Sequence, residues 1–408
     1  MRVENHDTDA DCGAPNLPAA ARTARPIVVT SNYPTVFQPN WGTFVAALVN
    51  RWAALGADAH VVAPHPYWSA RTRRFVLRYP PTDGARPATS RPGYWSFSNL
   101  RLGPISTARW TQRAFTAAVA RGLRGIHLDG SVFYGHFLYP AGLAALETAR
   151  RHRRPAVVAL GESGFDHWDV VFGHERTRAT LHAMAGILSV SEENKRGCIE
   201  KYDVPEDRIV VLPNAVDTDT FRPTDRERAR RRLRLPSDRP IVAFTGHFVE
   251  RKGPLRLLRA IAPLEGVGAV FLGDGPQVPE GPSVLFAGRV AHADVPEWLS
   301  AADLFVLPTT SEGSPNAVIE AMACGLPVVS YDIPALRETV DTRCARLVPS
   351  ADEHALRGAI ADLVYDRAVL SKMSCAAIER ATRFTLEDRA IRVLAWLGGI
   401  IADHDRGI

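Results

Sequence analysis

Short apolar runs rich in β-branched residues alternate with stretches of helical periodicity along almost the whole chain, and no other feature constrains the fold as strongly. Strands that are buried on both faces read as continuous apolar runs, and the helices between them cover a parallel sheet. In the first half, strands are predicted at 27–30, 60–63, 132–134, 156–160, 187–190 and 209–212, and helices at 43–55, 141–153 and 176–185. This half is therefore predicted to be an α/β domain.

The alternation breaks between residues 213 and 239, where three prolines and the charge run Asp225-Arg-Glu-Arg replace the apolar pattern. It restarts with strands predicted at 241–245, 269–272, 284–287, 304–307 and 328–330, and helices at 255–261, 296–301 and 315–324. Two such blocks predict an α/β protein of two doubly wound, Rossmann-like domains that face each other across a cleft.

The same patterns predict the domain boundaries. Residues 1–25 lack periodicity and are predicted to be a disordered tail, followed by a first, acceptor-binding domain at 26–220, a linker at 221–239 and a second, donor-binding domain at 240–385. A last helix at about 386–403 could pack on either domain. The span 64–104 holds seven prolines and no clear element, which predicts a long loop of the kind that often contacts substrate.

Composition excludes several classes of protein. The five cysteines are scattered and lack Cys-x-x-Cys spacing, so neither a disulfide framework nor a structural zinc site is expected. No stretch approaches the roughly 20 apolar residues that span a bilayer, and the N-terminus lacks the pattern of a signal peptide. We therefore expect a soluble, cytoplasmic protein.

Positive charge is carried mainly by arginine. The net charge is +5, and lysine supplies 4 of the 49 basic residues. Arginine clusters at 71–78 and 150–154 are compatible with a solvated surface, with attraction of anionic substrates, or with peripheral contact to the inner face of a membrane. No nucleic-acid-binding module is recognisable, so nucleic acid is not expected as a partner.

The stretch from residue 308 to 327 carries the strongest local signals. Ser314 is a preferred N-cap residue and Pro315 suits the first helical position, while a glycine and a proline end the helix. The helix opens just after the carboxyl end of a strand, where open sheets bind ligands. Its free backbone N–H groups near Asn316 and Ala317 are therefore predicted to face an anion.

Two acidic residues accompany this helix. Glu312 precedes it, and Glu320 falls in its second turn within an otherwise apolar run. One carboxylate can accept hydrogen bonds from two hydroxyls of a ribose or of another sugar. Both residues are interpreted as polyol ligands, with solvated surface acids as the alternative.

A second cluster follows the first strand of the second half. Gly246 allows close backbone approach, and Arg251 and Lys252 lie just before a helix N-terminus, where cations are electrostatically disfavoured. A bound anion would explain their placement, so Lys252 is interpreted as a phosphate ligand rather than as a surface charge. The turn Gly273-Asp-Gly275 follows the next strand, and by itself it is compatible with a plain turn or with a ligand loop.

Together these motifs resemble the GT-B fold, retaining glycosyltransferases of family four over nearly all of residues 26–400. The family's two glutamates with seven intervening residues are matched by Glu312 and Glu320. Further matches are the Gly-x₅-Lys-Gly loop at 246–253, the Gly-Asp-Gly-Pro turn at 273–276, the Ser-Glu pair at 191–192, the N-terminal glycine loop at 39–44 and an acceptor-domain histidine at His136. The segment 213–217 is similar to the family's interdomain Pro-Asn-Gly-Val-Asp, with Ala215 in place of the glycine.

The resemblance implies transfer of a hexose-type sugar from a nucleoside diphosphate sugar to an acceptor hydroxyl, with retention at the anomeric carbon and without cofactor or required metal. Lys252 and the N–H groups of Asn316 and Ala317 would stabilise the departing diphosphate. Glu320 would hold the ribose and Glu312 the transferred sugar. The other implied donor ligands are Gly246, His247, Arg251, Gly273, Gly275, Ser314 and, by backbone contact with the base, Arg289 and Val290.

The chain departs from the family pattern at two catalytic positions. The family usually has arginine directly after the loop glycine, where this chain has His247. The family's Thr-x-His-Gly turn, which often supplies a histidine to the reaction centre, is replaced by the sequence Ala-Leu-Gly-Glu-Ser at 159–163. Glu162 or Ser163 is therefore predicted to take that role.

The acceptor side is predicted from the first domain. Asn40, Gly42 and Ser163 are its candidate residues, and Gly42 would allow close approach of the first helix to the sugar and the phosphates. His136 is a candidate catalytic residue, with a core histidine as the alternative. The acceptor is a small molecule, a glycan or a lipid-linked molecule, and the nucleotide is UDP, GDP or ADP.

Two other functions compete with sugar transfer. A non-catalytic nucleotide-sugar-binding protein would be indicated by His247 and by the altered turn at 159–163. An epimerase or hydrolase on the same scaffold would release an epimer or a free monosaccharide without any acceptor.

Overall fold

Two parallel β-sheets organise the protein, and the predicted α/β class with two doubly wound, Rossmann-like domains is confirmed. The computed structural model describes residues 18–69, 74–79, 87–97, 101–102, 105–161 and 166–407. The first sheet has seven strands and the second has six, and helices cover the faces of both.

The first domain contains the seven-stranded main sheet and, in its described part, six further short strands. In chain order its strands are β1 (Arg25–Thr30), β2 (His60–Val62), β3 (His65–Pro66), β4 (Trp68–Ser69), β5 (Arg74–Phe75), β6 (Ala88–Ser90), β7 (Gly93–Tyr94), β8 (Arg101–Leu102), β9 (Ile105–Ser106), β10 (Ser131–His136), β11 (Ala156–Leu160), β12 (Gly186–Ser189) and β13 (Ile209–Val211). Its helices are α1 (Ala19–Thr23), α2 (Thr43–Ala54), α3 (Ala108–Gly122), α4 (Leu143–Arg151), α5 (Asp166–Phe172), α6 (His174–His182) and α7 (Glu192–Tyr202). The main sheet has the order β13-β12-β11-β10-β1-β2-β6, and all its strands are parallel.

Both faces of this sheet are buried, as its continuous apolar strands predict. Successive residues of β1 point to opposite faces. Val29 belongs to an apolar cluster with Phe115 of α3, whereas Val28 belongs to a separate cluster with Trp52 of α2. The first domain therefore has one apolar core on each side of its sheet.

The second domain contains the six-stranded sheet. Its strands are β14 (Ile241–Thr245), β15 (Gly268–Leu272), β16 (Val284–Gly288), β17 (Leu304–Leu307), β18 (Val328–Tyr331) and β19 (Ala345–Val348), in the parallel order β16-β15-β14-β17-β18-β19. Its helices are α8 (Arg226–Leu233), α9 (Pro254–Ile261), α10 (Val295–Ser300), α11 (Asn316–Ala323), α12 (Pro334–Thr339), α13 (Glu353–Val364) and α14 (Arg367–Ala381). Single helical turns at Leu138–Gly142, Glu206–Arg208, His292–Asp294 and Thr382–Phe384 complete the two domains.

The last helix, α15 (Leu386–Asp405), packs on the first domain against α1 and α2. It contributes Leu394 and Leu397 to the cluster that contains Trp52, and the Trp52 indole Nε1–H donates to the carbonyl of Ala390 at 3.1 Å. The chain therefore passes from the first domain to the second and back. No described helix, α15 included, is long and apolar enough to cross a membrane.

The structure corrects the predicted tail and linker. Residues 1–17 lie outside the described part, but α1 and β1 occupy 19–30, and Ala21 and Ala24 are buried, so residues 18–25 are ordered structure rather than tail. The segment 221–239 contains α8 and is therefore not an extended linker. Arg230 of α8 pairs with Asp303 at 2.6 Å, and both side chains are buried. This buried ion pair joins the segment to the second domain.

The proline-rich span 64–104 also differs from prediction. Where it is described, it forms short strands. β3 pairs with β7, β4 pairs with β5, and β8 pairs with β9, which lies just beyond the span. Strands of two residues leave no periodicity to detect in a sequence. The sequence analysis also missed α3, whose many arginines and alanines obscure its apolar face.

Candidate active site

The carboxyl edges of the two sheets face each other, which is where doubly wound sheets bind ligands. Asn40, after β1, donates from Nδ2 to the carbonyl of Val290, after β16, at 2.8 Å. Asn214, after β13, donates its backbone N–H to the hydroxyl of Ser314, after β17, at 3.1 Å. Loops from both domains therefore meet across the cleft.

A third contact joins the domains at the N-terminus of α7. The backbone N–H groups of Glu192 and Glu193 donate to the two carboxylate oxygens of Glu338 on α12, at 2.9 and 3.2 Å. A carboxylate satisfies the free N–H groups of a helix N-terminus and interacts favourably with its dipole. The N–H groups of Glu192 and Glu193 thus hold α12 of the second domain against α7, while the Ser191 hydroxyl caps α7 by accepting the N–H of Asn194.

The predicted glycines allow two loops of the second domain to pack closely together. A Cβ atom at Gly273 would lie 1.9 Å from the carbonyl oxygen of Gly246, and one at Gly275 would lie 2.4 Å from that of Phe248. Phe248 donates its backbone N–H to the Asp274 carbonyl at 2.6 Å. The loop after β14 and the turn after β15 therefore pack so closely that neither glycine has room for a side chain.

Lys252 and Glu312 meet at the centre of the site. The Lys252 ammonium Nζ lies 2.6 Å from Glu312 Oε1, and the side chains are 16% and 8% exposed. The Thr309 hydroxyl donates to the same oxygen at 2.8 Å, and the Arg251 guanidinium lies 3.7 Å away. Two cations thus surround one nearly buried carboxylate. The sequence analysis missed Thr309, which no motif distinguishes.

His247 lies at the edge of this loop, on Asp274. Its Nδ1 is 3.2 Å from Asp274 Oδ1, and Arg289 pairs with the other carboxylate oxygen. Burial by itself raises the pKa of the Asp274 carboxyl, but the hydrogen bonds and charges of Arg289 and His247 together hold that pKa below its ordinary value. The predicted donor ligands His247 and Arg289 are therefore brought together through a carboxylate.

The N-terminus of α11 lies beside the buried pair, but Ser314 and Pro315 do not have the predicted positions. The helix begins at Asn316, with Pro315 as the N-cap residue and no side-chain cap. The Ser314 hydroxyl instead accepts the N–H of Asn214 from the other domain. A second unexpected feature is the Asn316 side-chain Oδ1, which is buried and has no hydrogen-bond partner among the described residues.

Glu320, in the second turn of α11, faces His292. His292 Nε2 lies 3.4 Å from Glu320 Oε1, and the carboxylate side chain is 16% exposed. The hydrogen bond with Glu320 raises the pKa of His292 above its ordinary value, although burial opposes the shift. His292 was not predicted as a site residue from the sequence, although it lies two residues after the loop predicted to contact the base.

On the acceptor side, Gly42 adopts a backbone conformation that favours glycine. Its φ of 71° is left-handed, it caps the N-terminus of α2, and a Cβ atom there would lie 2.2 Å from the carbonyl oxygen of Asn32. Asn40 reaches across the cleft, as described above. Glu162 and Ser163 lie outside the described residues.

His136 ends β10, and its ring is buried rather than open to the cleft. It packs against Phe44 and Phe137, with ring centroids 5.2 and 4.8 Å away, and Nδ1 has no described hydrogen-bond partner. Burial, with the nearby charge of Arg389 from α15, lowers the pKa of His136 to about 3. The imidazole is therefore neutral at physiological pH.

This buried histidine predicts an acid-dependent loss of stability. The unfolded chain binds a proton at His136 below about pH 6.5, whereas the folded protein does not do so until about pH 3. The free energy of unfolding should therefore fall by about 1.4 kcal/mol per pH unit on this account as the pH drops below about 6.5. In His136→Leu that part of the slope should disappear in urea titrations, whereas exposed His354→Gln should keep it. Parallel slopes for the wild type and His136→Leu would contradict the prediction.

Within the described ranges, no group of three or more His, Cys, Asp or Glu side chains could hold a metal ion. The charges that surround the buried Glu312 carboxylate are those of Lys252 and Arg251.

Comparison with known proteins places this geometry in a family. Residues 42–220 match the family described as Glycosyltransferase Family 4, and residues 239–366 match the one described as Glycosyl transferases group 1. The putative teichuronic acid biosynthesis glycosyltransferase TuaC of Bacillus subtilis (strain 168) is 30% identical over 346 residues, which cover 81% of this chain and 87% of that protein. The chain belongs to the family-four glycosyltransferases.

Solved structures share the fold of this glycosyltransferase. Sucrose-phosphate synthase from Thermosynechococcus elongatus is similar with a TM-score of 0.74 and 20% identity, covering 91% of this chain and 97% of that one. Anabaena Alr3699/HepE, solved in complex with UDP and glucose, is similar with a TM-score of 0.70 and 15% identity, covering 92% and 99%. This glycosyltransferase therefore has the GT-B architecture.

Proposed function

We propose that the protein transfers a hexose-type sugar from a nucleoside diphosphate sugar to an acceptor hydroxyl, with retention at the anomeric carbon and without a required metal. The observation that carries the proposal is the nearly buried Glu312 carboxylate with Lys252 and Arg251, where the carboxyl edge of the second sheet faces the first domain. Cations for a diphosphate and a carboxylate for sugar hydroxyls are thus side by side.

The diphosphate binds between the N-terminus of α11 and the loop after β14. The backbone N–H of Ala317 donates to it, whereas that of Asn316 is bonded to the Ser314 carbonyl at 3.0 Å. Lys252 and Arg251 supply positive charge, and His247 is a further hydrogen-bonding candidate beside Asp274. When the bond between the anomeric carbon and the phosphate oxygen breaks, negative charge develops on that oxygen. Cations beside the bound diphosphate stabilise this charge and so lower the barrier, which is the role that a divalent metal has in other enzymes.

Donor binding exchanges two protein contacts of the site for contacts with the ligand. Lys252 Nζ, now 2.6 Å from Glu312, turns towards the diphosphate, and the released carboxylate accepts hydrogen bonds from sugar hydroxyls. The Val290 carbonyl, now bonded to Asn40, accepts an N–H of the base instead. The exchange of protein partners for ligand partners keeps the buried polar groups satisfied.

Glu320 takes the ribose, because its carboxylate is held beside the base loop by His292. Glu162 is the catalytic candidate on the acceptor side that we retain. His136 is a candidate by the family pattern, but its ring is buried against Phe44 and Phe137 and is not open to the cleft. The acceptor is a small molecule, a glycan or a lipid-linked molecule. UDP is the first nucleotide to test, because a similar structure was solved with UDP and glucose.

Thermal-shift measurements with UDP, GDP and ADP test the donor site directly. A ligand at 100 times its dissociation constant adds about 2.7 kcal/mol of stability, so the accepted nucleotide should raise the melting temperature by several degrees. The shift should persist in the presence of a chelator. A shift that a chelator abolishes and manganese restores would contradict metal independence.

Incubation with the matching nucleotide sugar, followed by product NMR, separates the possible activities. Transfer with retention gives a glycoside whose anomeric configuration is that of the donor. Free monosaccharide without acceptor indicates a hydrolase, a changed donor sugar indicates an epimerase, and binding without turnover on any acceptor indicates a non-catalytic protein. Each of these three results would overturn the proposed function, as would a product of inverted configuration.

A further inference from the structure

Positive charge in this chain is concentrated in one segment. Residues 59–128 contain eleven arginines, one aspartate and no other charged residue apart from histidine. Because the whole chain has a net charge of +5, this segment carries a net +10 and the remaining residues together carry −5. Such an asymmetry within one chain indicates an acidic partner for this segment.

Helix α3 exposes part of this charge. Arg109 and Arg113 are one turn apart and exposed, on the side of the helix opposite the buried Phe115 and Val119. The helix contains no acidic residue, and neither of these two arginines forms an ion pair with any residue that the structure describes. Their charges are therefore available to a ligand.

Large hydrophobic side chains are exposed along the same part of the chain. Of the twelve large hydrophobic residues that are exposed in the described chain, eight lie between residues 36 and 110. The Trp95 ring lies 5.2 Å from that of Tyr67, the Phe97 ring lies 6.1 Å from that of Trp110, and the Arg74 guanidinium lies 4.9 Å from the centre of the Phe37 ring. We call this region the arginine–aromatic surface and define it by Phe37, Arg74, Trp95, Phe97, Arg109 and Trp110.

The surface combines the residue types that bind at the interface of an anionic bilayer. Tryptophan is enriched at the level of the lipid headgroups, and each basic residue near an anionic leaflet contributes about 1 kcal/mol. Trp68, Trp95 and Trp110 are about half exposed, whereas Trp52 and Trp168 are buried. We propose that the arginine–aromatic surface docks this protein on an anionic phospholipid bilayer.

The most exposed apolar side chains favour lipid over other acidic partners. Val36 and Leu77 are 70% and 69% exposed. Aliphatic side chains cannot stack on sugar rings or on nucleic-acid bases, but they can enter the boundary between headgroups and acyl chains. A second copy of the same surface would meet it with like charge, so self-association through this face is disfavoured.

Docking on this surface places the bilayer beside the cleft. Most of the surface lies on segments that follow β1, β2 and β6 at the carboxyl edge of the first sheet, and the rest lies at the start of α3. Phe37 is three residues from Asn40, which contacts the second domain. The second domain contributes none of the residues that define the surface. The proposal concerns membrane binding and does not depend on which reaction the cleft performs.

Vesicle co-sedimentation of the full-length protein tests the proposal. Binding is expected to vesicles of phosphatidylcholine mixed with phosphatidylglycerol, but not to phosphatidylcholine alone, and it should weaken strongly when salt rises from about 0.1 M to about 0.5 M. Arg109→Gln/Arg113→Gln should weaken binding by about 30-fold, which is roughly 1 kcal/mol per removed charge. Val36→Ser/Leu77→Ser should weaken it by about 10-fold or more.

Matched variants control for changes in net charge and in general hydrophobicity. Arg228→Gln/Arg232→Gln removes two exposed arginines with the same spacing from α8, and Val170→Ser/Val278→Ser removes two exposed aliphatic side chains elsewhere. Both control pairs should bind vesicles as the wild type does. Thermal shift with nucleoside diphosphate should be the same in all four variants, which shows that each is folded.

Three results would overturn the proposal. One is equal binding to neutral and anionic vesicles, and another is loss of binding in the control pairs to the same extent as in the test pairs. The third is absence of vesicle binding together with binding of a soluble polyuronic acid, which would assign the surface to an anionic glycan. A blue shift of tryptophan fluorescence on anionic vesicles is the expected companion result.

Discussion

Replacing Lys252 with alanine is expected to lower turnover at saturating donor by about 10²–10³-fold, comparable to removing one preorganised donor from an oxyanion site. The Lys252 side chain is 16% exposed, and Arg251 approaches the same Glu312 oxygen. Charge that develops on the departing diphosphate is stabilised more strongly in such a partly desolvated site than in water. The effect should appear mainly in kcat, because the charge of the leaving group grows in the transition state.

Lys372→Ala is the matched control, since this exposed lysine on α14 lies outside the cleft. Lys252→Arg should retain part of the activity, because the charge is kept while its position changes. Melting temperatures must be compared as well, since Lys252→Ala leaves the nearly buried Glu312 with Arg251 and Thr309 as partners. Equal turnover of Lys252→Ala and Lys372→Ala in folded protein would remove Lys252 from the mechanism.

Glu320→Ala is expected to weaken binding of the accepted nucleoside diphosphate by about 5- to 150-fold, which corresponds to about 1–3 kcal/mol for ligand hydroxyls left without a partner. The Glu320 carboxylate is largely buried at 16% exposure, so water replaces it poorly. Titration calorimetry measures the loss. Glu200→Ala on α7 removes an exposed carboxylate outside the site and should leave the affinity unchanged.

A deoxyribose ligand makes this test specific for the ribose. The wild type should bind the 2′,3′-dideoxy nucleoside diphosphate more weakly than the parent nucleotide, whereas Glu320→Ala should bind both about equally. The two losses should therefore be non-additive, as expected for groups in direct contact. If Glu320→Ala still discriminates between the two nucleotides as the wild type does, its carboxylate does not hold the ribose.

Local signals explain which elements could be predicted from the sequence. The strand β14 is predicted to the residue, and α11 to within one residue at each end, because apolar runs and the flanking prolines and glycine act within a few positions of each other. The C′ residue Gly325 has the left-handed φ of 82° that its position after a helix requires. Predictions that depend on neighbouring residues alone therefore agree closely with the structure.

Contacts between distant segments account for what the sequence analysis missed. Ser314 is a good N-cap residue by local preference. Its hydroxyl instead accepts a hydrogen bond from the backbone N–H of Asn214, which lies one hundred residues earlier in the chain. The charge of Arg389 on α15 helps to lower the pKa of His136. The periodicity of α15 in the sequence predicts an apolar face, but it does not predict which domain that face packs against. The site residues likewise follow a family pattern in sequence, while the pairing of Lys252 with Glu312 and of Glu320 with His292 depends on how loops are placed in space.

The chain crosses between the domains twice, near residue 216 and near residue 385, and the two crossing segments lie side by side. The backbone of Val216 forms hydrogen bonds with the backbones of Phe384 and Leu386, each at 2.8 Å. Because α15 completes the apolar core around Trp52, a fragment that ends near residue 220 would be missing one wall of its interior. Splitting the protein for separate expression therefore requires more than one cut. A stable first lobe must carry residues 386–405 joined back to it through an engineered linker, whereas the second lobe can be excised as one continuous insert.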